Sequence, residues 1–254
     1  MKQIIKIIND VLNFLLPRQC VMCGNRLTTN EKSICTSCYI HLPFTNYHTV
    51  KHNPLEKMFW EQFPIERAAS FFHYDGKEAR HIIQSMKYNN SPEVGYNLSK
   101  IYAQELQEHD FFKDIDCIIP VPLHWKRRMK RHYNQSFYIA KGISKTTRIP
   151  IYNNVIKRVI NNPSQTKMNS SERRNNVDDI FQLKNKDKIS NKHILLVDDV
   201  TTTGATITSC AKELSKAPNT KISVLTLALG GKTPIPASKE ECIDPFVYGM
   251  PLME

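Results

Sequence analysis

Two adjacent carboxylates and a turn of small hydroxyl residues are the groups in this sequence best suited to chemistry. Asp198 and Asp199 are followed, after one valine, by the turn TTTG at 201–204. Paired carboxylates can accept hydrogen bonds from sugar hydroxyls or hold a hydrated Mg²⁺. A turn of this composition before a helix offers free backbone N–H groups and a positive helix end, which suit a phosphate. The implied ligand carries a ribose and a phosphate side by side.

The flanking residues predict the elements that position these groups. His193 to Asp198 is a nearly unbroken run of apolar, β-preferring residues, typical of a parallel-sheet strand that is buried on both faces and ends at the carboxylates. Ala205 to Lys216 has a helical apolar pattern. Ligands of open α/β sheets bind beyond the carboxyl ends of strands, so we expect a site there. The alternative is a buried strand and turn that leave two aspartates exposed.

Motifs and composition narrow the class of ligand. The stretch has neither GxxxxGK[ST] nor GxGxxG, which argues against a nucleoside triphosphate and a dinucleotide. With 35 Lys and Arg against 24 Asp and Glu, the net charge of +11 predicts attraction to polyanions. Charge alone does not choose between a pyrophosphate-bearing substrate and nucleic acid.

Four of the seven cysteines form two CxxC pairs. Cys20 and Cys23 are separated from Cys35 and Cys38 by eleven residues, and Gly24 follows the first pair, where a chain turning around a metal needs a permissive backbone. This spacing predicts a closed, structural Zn²⁺ site without a catalytic role. The alternative is four reduced thiols without a metal.

The order of the predicted elements indicates an α/β fold, with a parallel sheet flanked by helices on both faces. Strands are expected at 67–74, 116–121, 155–160 and 221–229 besides the central one. The length of 254 residues fits one such domain with a small appendage. We divide the chain into an amphipathic N-terminal helix (1–19), a four-cysteine zinc-finger module (20–45), a linker (46–65), the larger domain (66–230) and a C-terminal tail (231–254).

The N-terminal segment is apolar but does not resemble a signal peptide or a membrane span. Polar residues interrupt it at helical intervals, and no small-residue cleavage site follows. We expect this helix to pack on the rest of the protein, the alternative being a membrane surface. With no other long apolar run and no export signal, we expect no transmembrane segment and a cytoplasmic location.

A dense run of cations follows the predicted strand at 116–121. The segment KRRMKR at 126–131 carries five cations in six positions and is flanked by Trp125 and Tyr133. It falls at a strand's carboxyl end, on the same edge as Asp198 if the sheet is parallel. It is a solvated basic loop, an anion site, or a surface on which single-stranded nucleic acid stacks. Asn134 is expected to cap the next helix.

These motifs together resemble a known family. The stretch from Ile194 to Thr206 resembles the 5-phosphoribosyl diphosphate (PRPP) signature of type I phosphoribosyltransferases. With the CxxC pairs and the segments PVPLHWKRRMKRHYNQS and QTKMNSSERRNNV, the chain resembles the ComF family (ComFC/GntX-like) over roughly residues 20–229. These are zinc-finger proteins with a domain of the type I phosphoribosyltransferase fold. One departure is His132-Tyr133, where the family commonly has Gly-Phe.

The resemblance implies a role for each group of residues. Asp198 and Asp199 would be the catalytic pair, addressing the ribose hydroxyls or Mg²⁺. The 5′-phosphate would be held by Thr201, Thr202, Thr203, Gly204, Ala205 and Thr206. The pyrophosphate would lie against Val121, Pro122, Leu123, His124, Arg127 and Arg131. A lid region, including the polar segment 161–176, would contribute Arg158, Gln165 and Arg173.

The same resemblance implies a function. We expect binding of PRPP or a related ribose phosphate with Mg²⁺, and a link to single-stranded DNA and DNA-uptake proteins in natural transformation. The alternative is an active phosphoribosyltransferase of nucleotide metabolism or salvage, whose acceptor no segment identifies. A PRPP-sensing regulator is a third possibility.

Overall fold

The computed structural model describes residues 17–160 and 180–231. The helices in these ranges are α1 (Thr36–Ile40), α2 (Pro54–Trp60), α3 (Gly76–Tyr88), α4 (Pro92–Glu108), α5 (Trp125–Arg131), α6 (Gln135–Thr147) and α7 (Ala205–Leu214), with a 3-10 turn at Tyr47–Thr49. The strands are β1 (Ala68–His73), β2 (Cys117–Pro120), β3 (Ile156–Arg158), β4 (Phe181–Leu183), β5 (His193–Thr201) and β6 (Lys221–Leu229).

Four parallel strands form the main sheet, in the order β1-β6-β5-β2. β5 lies inside the sheet, where Leu196 pairs with Val224 of β6 and with Ile119 of β2. Because both neighbours of β5 are parallel to it, the carboxyl ends of β2, β5 and β6 meet at one edge. The α/β class expected from the sequence, a parallel sheet flanked by helices, is confirmed.

The two faces of the sheet contribute to two hydrophobic cores. Leu195 and Val197 of β5 pack in the core formed with α3, α4 and α6. Ile194 and Leu196 pack in the other core, with α2 and α7. This alternation follows from the two-residue period of a strand, and burial on both faces explains why β5 is apolar without interruption.

Two expectations about the smaller elements need correction. The strand predicted at 155–160 is β3, but it lies outside the main sheet and pairs antiparallel with β4, which the sequence did not predict. The three residues of β4 are too few to show the two-residue period of a strand. The range 46–65, expected as a linker without a period, contains α2. Its start was signalled by Asn53-Pro54, since the Asn53 side chain accepts from the amides of Leu55 and Glu56.

The four-cysteine region packs on the same core as α3 and α4. Met22 and Ile34 are buried against that core, and the Asn97 side chain of α4 donates to the Ser33 hydroxyl over 2.9 Å. The His81 ring of α3 lies 3.4 Å from the Met22 carbonyl oxygen. The cysteine region is therefore docked on the helices that flank the sheet.

Some expectations fall outside the described residues. These are residues 1–16 of the predicted N-terminal helix, the segment 161–179 with Gln165 and Arg173, and the tail from 232 onward. The division of the chain into 1–19, 20–45, 46–65, 66–230 and 231–254 stays a prediction. Within 17–160 and 180–231, none of the helices combines the length and the apolar character needed to cross a bilayer.

Candidate functional site

The sequence predicted that the acid pair lies at the end of its strand. In the structure the pair lies within β5. The strand continues through Thr201, because β6 is long enough to pair with it as far as Leu229. Asp198 pairs with Thr226 of β6, and Asp199 is buried. Since alternate residues of a strand point to opposite faces, the two side chains leave the backbone in different directions.

Asp198 is a carboxylate held by two donors. The Ser136 hydroxyl donates to its Oδ1 over 2.9 Å, and the amide of Asp199 donates to the same oxygen over 2.9 Å. Burial raises the pKa of Asp198 to about 7, and the charge of Asp199 adds to the shift, whereas these two hydrogen bonds oppose it. The sequence did not single out Ser136. The available signal was its place at the start of the helix that follows the basic run.

Asp199 is paired with a lysine that the sequence did not predict. The Nζ of Lys87, in the last turn of α3, lies 3.1 Å from Asp199 Oδ2. The carbonyl of the preceding residue, Met86, accepts hydrogen bonds from the Tyr133 hydroxyl and, over 3.4 Å, from the Gln135 side chain. The end of α3 is thus fixed to the junction between α5 and α6, which explains how Lys87 reaches the acid pair.

The turn after β5 packs closely against α2. Gly204 has φ +74, and a Cβ there would lie 2.8 Å from Cε1 of Phe59. Both the left-handed backbone and the close approach therefore require glycine. Gln62 fixes the turn, since its Nε2 donates to the Thr203 carbonyl over 2.9 Å and its Oε1 accepts from the Thr208 hydroxyl over 3.3 Å. Gln62 is 141 residues from Thr203, so no local pattern could have predicted this contact.

The turn presents donors without protein acceptors. Within the part of the chain that the structure describes, the amides of Thr202, Thr203 and Gly204 donate to no carbonyl. The side chains of Thr202 and Thr203 are exposed, whereas Thr201 is buried with an unpaired hydroxyl. Thr206, half-buried, lies in the first turn of the ten-residue helix α7. Free amides at a helix start are suited to an anion.

The loop Val121–His124 lies at the same edge of the sheet. Its first amide, that of Val121, donates to the Val197 carbonyl of β5 over 2.8 Å, and Pro122 and Leu123 follow. Asn134 occupies the cap position of α6, but its side chain makes no capping bond and donates instead to the Val121 carbonyl over 3.0 Å. The expected capping role of Asn134 is therefore wrong, because the amide is used to fix the loop.

His124 connects the loop to the basic run. It is buried, and its Nδ1 accepts from the Lys126 amide over 3.3 Å at the start of α5. Burial lowers the pKa of His124, and the charges of Lys126, Arg158 and Arg127 lower it further. A neutral ring is needed, because Nδ1 must accept the hydrogen bond from the backbone amide.

The basic run is a helix and not the loop considered from the sequence. α5 has no buried residue, and Trp125 and Met129 are 58% and 67% exposed. The Arg131 guanidinium stacks on Tyr88, which is itself 67% exposed, at 5.4 Å from the ring centre. Tyr133, expected as the second flanking aromatic, is buried. Tyr88 takes that place on the surface.

Arg158 is the one expected lid residue within the described ranges. It lies in β3, with its guanidinium 5.5 Å from the centre of the Phe181 ring and its Nε donating to the Ile160 carbonyl over 3.3 Å. Burial and the charge of Arg127 lower the pKa of Arg158, and the charge of Asp198 opposes them. The electrostatic influence of Arg127 and Asp198 indicates that β3 borders the site.

The four cysteines form a cluster that fits a tetrahedral metal. The Sγ atoms of Cys20, Cys23, Cys35 and Cys38 all lie within 4.8 Å of one another, and those of Cys23 and Cys35 are 3.8 Å apart. Thiolates bound to Zn²⁺ at about 2.3 Å would be about 3.8 Å apart in a tetrahedron. Burial opposes ionisation of Cys20, but amide hydrogen bonds from Cys23, Cys35 and Met22 lower its pKa to about 7.

A buried carboxylate organises the loop between the two CxxC pairs. Glu31 accepts from the amides of Thr28 and Thr36 over 2.8 and 2.7 Å, and these bonds lower its pKa to about 2. The guanidinium of Arg18 donates to the Glu31 carbonyl over 3.1 Å. This carboxylate was not expected from the sequence, although the Thr-x-x-Glu spacing at Thr28 was an available signal.

These features define an α/β protein with a polar site at the carboxyl edge of a parallel sheet and a separate four-cysteine cluster. The chain is 32% identical to competence protein F of Haemophilus influenzae over 151 residues, which cover 58% of this chain and 66% of that protein. It is 25% identical to the DNA utilization protein YhgH of Escherichia coli K12 over 77% of this chain and 83% of that protein. The chain belongs to the ComF family.

The other comparisons add context. Competence protein ComFC of Bacillus subtilis is 31% identical over 111 residues, 43% of each chain. No family model matches the chain. Among solved structures, the glutamine PRPP amidotransferase of Bacillus subtilis has a TM-score of 0.37 and 20% identity, over 54% of this chain and 26% of that one. An adenine phosphoribosyltransferase has a TM-score of 0.36 and 12% identity, over 61% and 85%.

The raised pKa of Asp198 predicts a pH-dependent cost in stability. Between about pH 4 and pH 7 the folded protein keeps a proton on Asp198 that the unfolded chain releases, so the free energy of unfolding falls as the pH rises through this range. The stability at stake is fully present below about pH 4 and is lost once the pH exceeds about 7. Asp198→Asn removes the titrating carboxyl group and therefore this loss of stability. We expect the variant to be more stable than wild type at about pH 8, with a smaller difference at about pH 5.5, in urea unfolding.

The exposed Asp187 provides the control. Asp187→Asn should leave the difference from wild type the same at both pH values. A difference for Asp198→Asn that does not change with pH would contradict the raised pKa.

Proposed function

We propose that this protein binds PRPP or a related ribose phosphate, together with Mg²⁺, at the carboxyl edge of the sheet. The observation that carries the proposal is the placement of the acid pair beside a turn with free amides. Both belong to β5 and its exit, and the loop 121–124 and α5 border them. Backbone amides that can bind a phosphate lie on one side, and carboxylates that can bind sugar hydroxyls or a metal lie on the other. This arrangement matches a phosphorylated ribose.

Each group of residues has a proposed role in that complex. Asp198 and Asp199 address the ribose hydroxyls or the metal, and the turn 201–206 holds the 5′-phosphate. The loop 121–124, with Arg127 and Arg131, binds the pyrophosphate. Arg158 borders the ligand from β3, and Gln165 and Arg173 are proposed to act from the adjoining segment. The carboxylates fit a hard cation because oxygen ligands are those that Mg²⁺ prefers.

Replacing both carboxylates tests the site directly. Asp198→Asn with Asp199→Asn should weaken PRPP binding by more than about a hundredfold in calorimetry with saturating Mg²⁺, because charged acceptors become weak neutral ones. A matched control is Asp187→Asn with Glu108→Gln, which removes the same charge from exposed positions. An unchanged PRPP affinity in the first variant would reject the assignment of the acid pair.

Catalytic turnover is the second candidate. In a transfer reaction the bond between the anomeric carbon and the pyrophosphate breaks, and that carbon bonds to an acceptor. The carboxylates of Asp198 and Asp199 would stabilise positive charge on the ribose ring, and Arg127 would face the departing pyrophosphate. A bound Mg²⁺ would stabilise the charge of that leaving group. Release of pyrophosphate from PRPP with any nucleobase or other acceptor would establish this activity.

We also propose that the four-cysteine cluster holds a structural Zn²⁺. Wild-type protein should contain about one zinc per chain by elemental analysis, and Cys23→Ser should lower both the zinc content and the melting temperature. Cys117→Ala is the control, because it removes a buried thiol outside the cluster. Equal zinc content in both variants would contradict the assignment.

A role in DNA uptake is proposed from the relatives and from α5. Two relatives carry competence in their names and another is called a DNA utilization protein. α5 presents its cations with Trp125 and Tyr88 exposed beside them, and exposed aromatics among cations suit single-stranded DNA. Proteins of DNA uptake are the expected partners. The cytoplasmic location stays a prediction.

Salt dependence tests the α5 surface. Charge reversal of Arg127, Arg128 and Arg131 should weaken binding of a single-stranded oligonucleotide and reduce the slope of log affinity against log salt by about 2, since each phosphate contact contributes about 0.7. Trp125→Ala should weaken binding about tenfold without changing the slope.

The control for the charge reversals changes three exposed lysines elsewhere, Lys51, Lys184 and Lys186, to Glu. It produces the same change in net charge away from α5. Equal losses in the two triple variants, or an affinity that salt does not change, would contradict a binding surface on α5.

A further inference from the structure

Lys87 forms an ion pair with one member of the acid pair, and the position of this ion pair suggests a role in ligand binding as well as in structure. Its ammonium lies 3.1 Å from Oδ2 of Asp199, and its side chain is 23% exposed. This oxygen belongs to the pair that would hold a divalent cation in the proposed function. An ammonium and a dication cannot share one carboxylate oxygen without strong repulsion, so binding of the metal must displace Lys87.

The backbone around Lys87 keeps the displaced ammonium close to the site. The carbonyl of Met86 is held by the Tyr133 hydroxyl and the Gln135 side chain, and the Tyr88 ring stacks with Arg131 of α5. Met86 and Tyr88, the residues on either side of Lys87, therefore contact the segment that follows the proposed pyrophosphate loop. A lysine side chain has four flexible carbons, so only its head group needs to move.

We infer that Lys87 is a tethered counter-ion, which neutralises the acid pair in the unliganded protein and contacts a phosphoryl oxygen of the ligand once a divalent cation binds. This inference rests on the proposed function, because it assumes that the acid pair is the metal site. It assigns Lys87 to ligand binding, although Lys87 belongs to α3 and not to the loop or the turn that were expected to hold the phosphates. It also explains how two adjacent carboxylates remain stable without a ligand.

The inference predicts that Lys87→Met shifts two affinities in opposite directions. Binding of Mn²⁺ alone, measured by electron paramagnetic resonance, should become about fivefold tighter because the competing cation is gone. Binding of PRPP with saturating Mg²⁺, measured by calorimetry, should become about tenfold weaker because a charged contact to the ligand is lost. Lys87→Arg should retain most of the wild-type behaviour in both measurements.

Controls separate this role from a structural one. Lys77→Met changes an exposed lysine in the first turn of the same helix and should alter neither affinity. If Lys87→Met leaves both affinities unchanged, or lowers both together, the counter-ion role is overturned. If wild type binds Mn²⁺ but not PRPP, the proposed function fails, whereas a tighter Mn²⁺ complex in Lys87→Met still supports displacement of Lys87. A wild type that binds neither overturns both proposals.

Discussion

The rest of the site depends on keeping two neighbouring carboxylates side by side within a buried strand. Asp198 loses hydration on burial and lies beside the charge of Asp199, and both effects raise its pKa, to about 7. Three groups compensate for this: the Ser136 hydroxyl and the Asp199 amide on Asp198, and the Lys87 ammonium on Asp199. They come from α6, β5 and α3, so the acid pair requires these three elements to be docked together.

Helix α3 links the site to the four-cysteine region. His81 near the middle of the helix contacts the Met22 carbonyl, and Lys87 at its end contacts Asp199. The cysteine region therefore packs on the helix that supplies the counter-charge. A module this small cannot build a core of its own, so it gains stability from the core that it shares with α3. The module also covers an apolar face of α3.

The sequence predicted the long regular elements well. The strands β1, β2, β5 and β6 and the helix α7 lie where their apolar patterns placed them, because burial against a large core enforces those patterns. Short elements escaped prediction: β4 has three residues, and α2 lies in a range without a period. α5 was not predicted either, since its cations give no apolar stripe and the helix buries none of its residues.

The sequence by itself determined the chemical groups and their local order: the acid pair, the threonine turn, the CxxC pairs and the basic run. These follow from neighbouring residues, whose spacing fixes what a strand exit or a turn around a metal can present. Only the tertiary structure decided which distant groups complete them, namely Lys87 and Ser136 at the acid pair and Gln62 at the turn. Such partners lie far apart along the chain and are brought together by docking of helices on the sheet, which leaves no periodic trace in the sequence.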